Sequence, residues 1–392
     1  MKPLIGCVDI MKKKINVLIL LIGVASSVFG QRAISIPAPQ GASFIESPLI
    51  EAVSFFPLEQ EKINMILPEM ELRYSNKHYF ILDNKYTQCV YRYNENGELI
   101  NTICEVKDEK DKILATLNNP ASFSIDPFRE QVEIYNFQKS TVQRLSFDGT
   151  FIDEIPFPIH PSDFTRDKQG NYWIYSGWNH RDTQYRLLIA DKNGKVIDRK
   201  MRLNTRCVTT SGFAFSYYKE DILLWESLGN LAYSIRDNTP KERYLFSFGT
   251  FNLPLDFHIT DPQISYQRMN NNGYYSIKKY LENDRFAYFF LNFTNTPLLQ
   301  KEMIHIIHDK QADKIHILNE NSGIGAFDKA HALTESDELV FLISPRKIRQ
   351  LLSGGVEYVP DSFYGLDEDL RDVRLTCVLK IKLRSEKEPS GE

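Results

Sequence analysis

The sequence has few cysteines and no stripe of basic residues. Lys and Arg total 47 against 51 Asp and Glu, which gives a formal net charge of -4. Nucleic-acid-binding domains usually carry a basic face, so we expect no nucleic-acid partner. The five cysteines are too few for a disulfide-dense scaffold, and their spacing matches no zinc-binding pattern.

Long apolar runs are also scarce, and the clearest one is N-terminal. It extends from Ile15 to Phe29, follows three lysines (Lys12, Lys13 and Lys14) and ends before Gly30. This pattern is typical of a secretory signal peptide, and the run is short for a membrane span. We therefore predict a signal peptide over residues 1–30, no membrane span, and a periplasmic or extracellular protein. Both Met1 and Met11 remain possible start sites.

Known catalytic motifs are missing. The chain has no Walker loop, no nucleophile elbow and no His-Glu-x-x-His. His305, His308 and His316 lie near one predicted hairpin, but His305 and His308 are three residues apart and should point to opposite faces of a strand. His308 and His316 form at best a pair, which is too few ligands for zinc. We predict no metal, no cofactor and no catalytic residue.

What the sequence does contain is a repeated hairpin. Two short runs rich in Val, Ile, Tyr and Phe flank a turn that ends in Gly97, Gly149 or Gly194. Asn and Asp side chains bond their own backbone in such turns, and glycine adopts the positive φ that the last turn position requires. The recurrence predicts a repeat architecture built from β-hairpins.

Each hairpin follows another pair of short strands, so the repeating unit has four strands and about the length of a propeller blade. The predicted units are Glu71–Ile103, Ala121–Phe157, Ser162–Met201, Ser211–Gly249, Ser276–Asn319, and an incomplete sixth unit that begins at His331. The sequence therefore predicts an all-β protein, a six-bladed β-propeller with four-stranded antiparallel blades over residues 49–385.

The sixth unit lacks a strand. It ends in an alternating run from Val373 to Leu383, whereas Leu49–Leu58 has no neighbouring strand of its own. We predict that this N-terminal segment closes the last blade, because closure removes exposed sheet edges. Residues 31–48 are then a linker and residues 386–392 a tail, and removal of residues 31–44 should be nearly silent.

Cys89 and Cys104 flank the first glycine turn. A two-residue turn would place them directly opposite each other, whereas a three-residue turn with a bulge at Gly97 would pair Cys89 with Ile103. We expect free, buried thiols at both positions.

Several segments resemble a known group of proteins. They are Val53–Glu59, the strand segments Tyr79–Asp83 and Val132–Asn136, the Asn-Gly hairpins and the closing strand Leu375–Leu383. With these motifs the chain, from about Val53 to Leu383, resembles the exported six-bladed propeller proteins of Bacteroidetes, relatives of the NHL-repeat and TolB-like propellers. The resemblance implies a fold and an exported location more than an activity. The fifth and sixth units depart from it because they lack the glycine turn.

Function in a propeller usually resides in the loops of one face. The segment 177–183 combines an aromatic ring with hydrogen-bonding groups, and other polar loop residues should share its face. The predicted ligand-binding residues are Trp178, Asn179, His180, Arg181, Lys85, Tyr86, Lys139 and Arg206; His160 and Arg268 should lie on the same face. An ordinary solvated loop is the alternative interpretation of this segment.

These residues lead to two hypotheses. The first is a monomeric, exported binding module that recognises a glycan, peptide or protein partner on one face of the ring. The second, which the resemblance allows, is an NHL or lactonase-like propeller enzyme with a cation at the channel mouth. Asp163 and Asp256 are candidate carboxylates for that enzyme.

Overall fold

In the computed structural model, short strands make up most of the described chain. The described residues are 31–36, 47–59, 67, 70–110, 112–117, 120–177, 183–203, 214–252, 262–295, 300–319, 328–344, 347–348 and 376–384. The predicted signal peptide, the predicted C-terminal tail and part of the linker lie outside them. Within the described residues, no helix is long and apolar enough to cross a membrane.

Two strands precede the first predicted blade, β1 (Arg32–Ser35) and β2 (Ile50–Pro57). The first three blades follow as four-stranded antiparallel sheets whose spatial order is the chain order. Blade 1 contains β3 (Glu71–Ser75), β4 (His78–Asp83), β5 (Cys89–Tyr93) and β6 (Leu99–Ile103). A small hairpin, β7 (Glu105–Lys107) and β8 (Ile113–Thr116), leads to blade 2, which contains β9 (Pro120–Asp126), β10 (Gln131–Asn136), β11 (Thr141–Ser146) and β12 (Phe151–Pro156). Blade 3 contains β13 (Asp163–Arg166), β14 (Tyr172–Tyr175), β15 (Tyr185–Ala190) and β16 (Val196–Arg202).

The other three blades complete the predicted architecture. Blade 4 contains β17 (Phe215–Tyr218), β18 (Asp221–Trp225), β19 (Leu231–Arg236) and β20 (Thr239–Ser247). A one-turn 3-10 helix (Gly249–Phe251) and helix α1 (Pro262–Asn272) lead to blade 5, which contains β21 (Tyr274–Glu282), β22 (Phe286–Asn295), β23 (Gln300–Asp309) and β24 (Lys314–Asn319). Blade 6 contains β25 (Ala332–Leu333), β26 (Glu338–Ile343), β27 (Cys377–Leu383) and, as its outer strand, β2.

The innermost strands form a closed ring, because β3, β9, β13, β17, β21 and β25 each contact the next and β25 contacts β3. Each blade is therefore covered on both faces by its neighbours. This explains why second and third strands carry nearly continuous apolar runs rather than an alternation: all four side chains of β14 are buried, as are five of the six in β4. The six-bladed all-β fold is confirmed.

Closure by the N-terminal segment is confirmed as well. β2 pairs antiparallel with β27, and Phe55 lies opposite Leu379. Phe55 is buried in a cluster that it shares with Leu379 and Phe341 of the same blade and Phe290 of blade 5. The chain ends of the domain are thus joined within one sheet.

Strand β1 lies inside the segment predicted to be a linker. It pairs in parallel with β20, so blade 4 has a fifth, outer strand. Ile34 and Ile36 are only 1% and 5% exposed and pack in the core cluster of blades 4 and 5. The linker prediction therefore changes for residues 32–35, and we no longer expect their removal to be silent.

The glycine turns pack against the preceding blade. A Cβ on Gly97 would lie 2.6 Å from the carbonyl oxygen of Pro57, and one on Gly194 would lie 2.0 Å from that of Pro156. Both glycines also have positive φ, +84° and +82°. The turns require glycine for two reasons: the backbone conformation, and the close approach to the end of the neighbouring outer strand.

A β-bulge recurs between the third and fourth strands of blades 1 to 4, and in blade 1 it corrects the thiol prediction. The turn after Asn94 has three residues, so Tyr93 pairs with Leu99; the bulge then leaves Ile100 unpaired, and Arg92 pairs with Asn101. This one-residue shift places Cys89 opposite Cys104, with a Cα–Cα distance of 4.4 Å, and the two form a disulfide. The expectation of free thiols is wrong here. Cys377 is free and buried.

Candidate functional site: the top face and the channel

Each innermost strand begins at one end of the ring, which we call the top face. Connections between blades arrive there, and so do the loops that join second to third strands, because successive strands of a blade are antiparallel. The sequence predicts that the ligand-binding residues lie on this face. Only some of them belong to the described residues.

In blade 1, the loop after β4 presents Lys85 and Tyr86 to solvent. Asp83, at the end of β4, accepts hydrogen bonds from the backbone N–H groups of Lys85, Tyr86 and Thr87, each at 2.9 Å. Burial would raise the pKa of Asp83, but these N–H groups and the Thr87 hydroxyl hold it below its usual value. The ionised carboxylate therefore organises a tight loop from which the Tyr86 side chain projects, 63% exposed.

In blade 2, the loop after β10 carries a second exposed ring, Phe137, which is 50% exposed. Its ring stacks on His160 with a centroid separation of 4.6 Å and an interplanar angle of 28°. The hydroxyl of Tyr135 lies 2.6 Å from His160 Nδ1 and so restrains the imidazole. Lys139 lies in the same loop, with Nζ 3.6 Å from Glu154 Oε1.

Sequence reasoning placed Lys85, Tyr86, Lys139 and His160 on this face, but it missed Phe137. The signal that could have found it is positional: Phe137 follows the last residue of β10, in the loop that corresponds to that of Tyr86. A large apolar side chain in a loop between two strands of a blade has no core to enter.

The remaining predicted binding residues, Trp178, Asn179, His180, Arg181 and Arg206, lie outside the described residues. Arg268 lies in α1. Between blades 3 and 4, the buried carboxylate of Glu226 accepts a hydrogen bond from Tyr175 OH at 3.2 Å and forms an ion pair with Arg186. Burial raises the pKa of Glu226 despite the Arg186 charge. This pair joins blades 3 and 4.

The top of the channel holds a compact group of charges around Glu71, the first residue of β3. Its carboxylate lies 3.0 Å from Lys279 Nζ and 2.6 Å from Lys329 Nζ, and His331 Nδ1 is 3.9 Å away. Burial would raise the pKa of Glu71, but Lys279 and Lys329 hold it well below its usual value. Burial lowers the pKa of Lys279 to about 8 and that of His331 to about 3. At neutral pH the carboxylate is thus ionised between two ammonium groups, beside a neutral imidazole.

Asp163, one of the two carboxylates considered for a cation site, faces a guanidinium. Arg73 Nη2 lies 3.3 Å from Asp163 Oδ1, and the backbone N–H groups of Ala214 and Phe215 donate to Oδ2 at 2.6 and 3.0 Å. Arg73 Nη1 also donates to the carbonyl of Phe215 at 2.7 Å. Asp163 therefore acts as a brace between blades 1, 3 and 4. Asp256 lies outside the described residues.

The three histidines do not assemble into a site. Register places His308 opposite Ile315 and His316 opposite Ile307, so His308 and His316 point to opposite faces and the considered pair is excluded. His305 Nδ1 lies 2.9 Å from Tyr288 OH, and His308 Nδ1 lies 3.0 Å from Tyr244 OH. Among the described residues, no three His, Cys, Asp or Glu side chains are grouped so that they could hold a metal ion.

Comparison with known proteins agrees with this architecture. Residues 37–365 match the family described as "Domain of unknown function (DUF4934)". No curated protein matches the chain in sequence. A solved structure of a Bacteroides fragilis NCTC 9343 protein, described as an inferred exported protein, is similar with a TM-score of 0.66 and 16% identity, over 90% of this chain and 99% of that one. A DUF4221 family member from Bacteroides vulgatus ATCC 8482 is similar with a TM-score of 0.50 and 12% identity, over 86% and 98% of the two chains. At these identities the likeness shows the fold.

Proposed function

We propose that this chain, which belongs to the DUF4934 family, is an exported binding module whose top face recognises its ligand. The ligand class is a glycan, a peptide or a partner protein. The surface that would contact it includes Lys85, Tyr86, Phe137, Lys139 and His160.

The proposal of export rests on three observations. Residues 1–30 have the pattern of a secretory signal peptide. The Cys89–Cys104 disulfide is the kind of bond that persists in oxidising compartments and is rare in the cytosol. The similar Bacteroides fragilis protein is described as an inferred exported protein. A periplasmic or extracellular location accommodates all three.

The proposal of binding rests on one observation: Tyr86 and Phe137 are large, exposed rings in corresponding loops of adjacent blades. Of the eight large hydrophobic side chains exposed in the described residues, they are the two aromatic ones. Rigid aromatic rings supply contact area at a low cost in conformational entropy, which is why they dominate binding surfaces. Asp83 holds the backbone of the Tyr86 loop, and Tyr135 restrains His160, on which the Phe137 ring stacks, so both loops are ordered before any ligand arrives.

The enzyme alternative finds less support among the described residues. Both carboxylate oxygens of Asp163 already have partners, the Arg73 guanidinium and backbone N–H groups, and the Glu71 carboxylate lies between two lysines. Carboxylates used this way stabilise the ring. The binding hypothesis is therefore the one we retain.

The test is a screen of the purified protein on arrays of immobilised oligosaccharides and of peptides. We expect a ligand whose binding falls by roughly tenfold or more in Y86A/F137A, the effect of losing two anchor residues. The matched control is I197A, since Ile197 is also an exposed apolar residue, at 53%, but lies on the outer strand β16.

Thermal unfolding should be nearly unchanged in Y86A/F137A and in the control, because all three side chains are at least half exposed. Ligands that bind Y86A/F137A as well as the parent protein would refute a binding role for this face, as would the absence of any ligand on either array.

A further inference from the structure

We infer that the top-face ligand is an uncharged oligosaccharide, held on the aromatic patch formed by Tyr86, Phe137 and His160. This inference rests on the binding function proposed above and narrows it to one ligand class. It is argued from the rings, the donors around them and the local charge.

The rings offer faces rather than pockets. Phe137 is stacked on His160, which leaves its opposite side to solvent, and Tyr86 is more exposed still. An aromatic face carries partial negative charge and attracts the weakly positive C–H groups of a flat partner. A pyranose ring presents such a C–H face together with a rim of hydroxyl groups. The Tyr135–His160 contact of 2.6 Å fixes the platform beforehand, so little ordering entropy remains to be lost on binding.

The two platforms belong to neighbouring blades. Packed sheets lie about 10 Å apart, so corresponding loops of blades 1 and 2 place their rings at a spacing of that order. That length is comparable with two linked sugar units. A chain of at least three sugars could therefore stack on both rings at once, which favours an oligosaccharide over a single sugar.

Hydrogen-bond donors surround the rings. The exposed polar side chains of the two loops and their neighbour are Asn84, Lys85, Gln138, Lys139 and His160. Amide, ammonium and imidazole groups donate to hydroxyl oxygens, and a sugar hydroxyl can return a hydrogen bond to an amide carbonyl. This donor-rich set suits a ligand that carries many neutral oxygen atoms.

The charges of the patch balance. Lys139 lies 3.6 Å from the Glu154 carboxylate, and Lys85 follows closely on the ionised Asp83 that holds its loop. Two positive side chains are thus matched by two negative ones. An anionic ligand would gain no net electrostatic attraction. A neutral ligand is recognised by stacking and hydrogen bonds, so its affinity does not depend on such attraction. Affinity should therefore change little with ionic strength.

The experiment is calorimetric titration of the full-length mature protein with maltohexaose, cellohexaose, xylohexaose, mannohexaose and, as the acidic counterpart, hexagalacturonate. We expect at least one neutral hexasaccharide to bind more tightly than hexagalacturonate. Its affinity should vary by less than about twofold between low and high salt, and Y86A/F137A should weaken it roughly tenfold while I197A leaves it unchanged. The variant Y86F/F137Y keeps an aromatic ring at both positions and should retain most of the binding, because the stacking faces remain.

The outcomes separate the two levels of the proposal. Binding by hexagalacturonate alone, a steep salt dependence, or Y86A/F137A-sensitive binding of peptides with no neutral sugar bound would overturn the ligand class and leave the binding face intact. A neutral hexasaccharide that binds Y86A/F137A as tightly as the parent would overturn both.

Discussion

The guanidinium of Arg73 reaches across the channel to the carboxylate of Asp163, two blades away in the ring, with Nη2 and Oδ1 3.3 Å apart. Asp163 is fully buried, and its other oxygen accepts the backbone N–H groups of Ala214 and Phe215. One ion pair therefore ties blades 1, 3 and 4 together at the axis. Burial raises the pKa of Asp163 despite the Arg73 charge. The desolvation penalty of the carboxylate is therefore larger than the favourable effect of the guanidinium.

Breaking this pair on one side should be costly. Removal of one partner of a buried ion pair leaves the other charge uncompensated, typically at about 3–5 kcal/mol. We expect R73M, which leaves the buried Asp163 carboxylate without its guanidinium, to lower the free energy of unfolding by about that amount. R73M/D163N, which removes both charges, should be less destabilised than R73M. Urea unfolding followed by circular dichroism measures both. A double variant less stable than the single one would show that the charges themselves are required.

Glu133, between blades 2 and 3, should make stability depend on pH near neutrality. Its carboxylate is buried; Oε1 accepts hydrogen bonds from Tyr172 OH at 3.0 Å and Arg166 at 3.2 Å, whereas Oε2 has no hydrogen-bond partner. Burial raises the pKa of Glu133 to about 7, with the Asp126 charge adding to the rise, whereas the Arg166 and Arg144 charges oppose it. The folded protein thus holds a proton that the unfolded chain releases at lower pH.

The sign follows from that difference. The contribution of Glu133 to stability is greatest below the ordinary glutamate pKa and declines as pH rises to about 7, by roughly 3 kcal/mol in all. We expect E133Q to remove this slope, so that its stability exceeds that of the parent at pH 8 and approaches it at pH 5. The exposed E109Q is the control. Parallel pH profiles for E133Q and the parent would refute the prediction.

The glycine turns allow backbone strain and steric contact to be measured separately. Gly194 and Gly249 both have positive φ, +82° and +58°, but only Gly194 has a neighbour within reach: a Cβ there would lie 2.0 Å from the carbonyl oxygen of Pro156. We expect G249A to cost about 1 kcal/mol for the left-handed conformation and G194A to cost several times more. Thermal unfolding of the two variants gives the comparison, and equal losses would mean that the blades can separate to admit the methyl group.

The disulfide should stabilise the first blade. Cys89 and Cys104 are separated by 15 residues, and a bridge across a loop of that length contributes about 3 kcal/mol. We expect C89S/C104S to unfold at a lower temperature than the parent, and reductant to lower the parent to the level of the variant without affecting the variant. If reductant leaves the parent unchanged while its thiols become reactive, the bridge carries no stability.

The two N-terminal strands, β1 and β2, should contribute unequally to the stability of the domain. A chain that begins at Glu59 lacks β2 and leaves the Phe55 site and the β27 edge open, so we expect it to aggregate or unfold at a much lower temperature than one that begins at Gln31. I34A, in β1, should cost about 2–4 kcal/mol because its side chain is buried against blade 4. Differential scanning calorimetry of the Glu59 chain and of I34A, each compared with the chain that begins at Gln31, measures the two losses of stability. Full stability in the Glu59 chain would contradict ring closure.

Much of this fold could be predicted because its signals are local. Alternating and continuous apolar runs mark strands, and Gly97, Gly149 and Gly194 mark turns by a φ that few other residues accept. The number of repeats then left one blade a strand short, and Leu49–Leu58 was the unassigned strand. The exposed side chains Lys85 and Tyr86 followed from the same reasoning, because the loop order of a propeller is determined by its strand order.

Tertiary structure alone decided the features that depend on register and on contacts between distant segments. A one-residue bulge at Ile100 turns a Cys89–Ile103 pairing into a Cys89–Cys104 disulfide, and no local pattern marks that bulge. The pairing of β1 with β20, the Glu71–Lys279 ion pair and the Arg73–Asp163 brace join residues that lie 90 or more positions apart in the sequence. Sequence by itself determined the repeating unit, because each strand and turn is specified by its own side chains; the assembled ring decided which of those side chains meet, because such contacts exist only once the blades have packed.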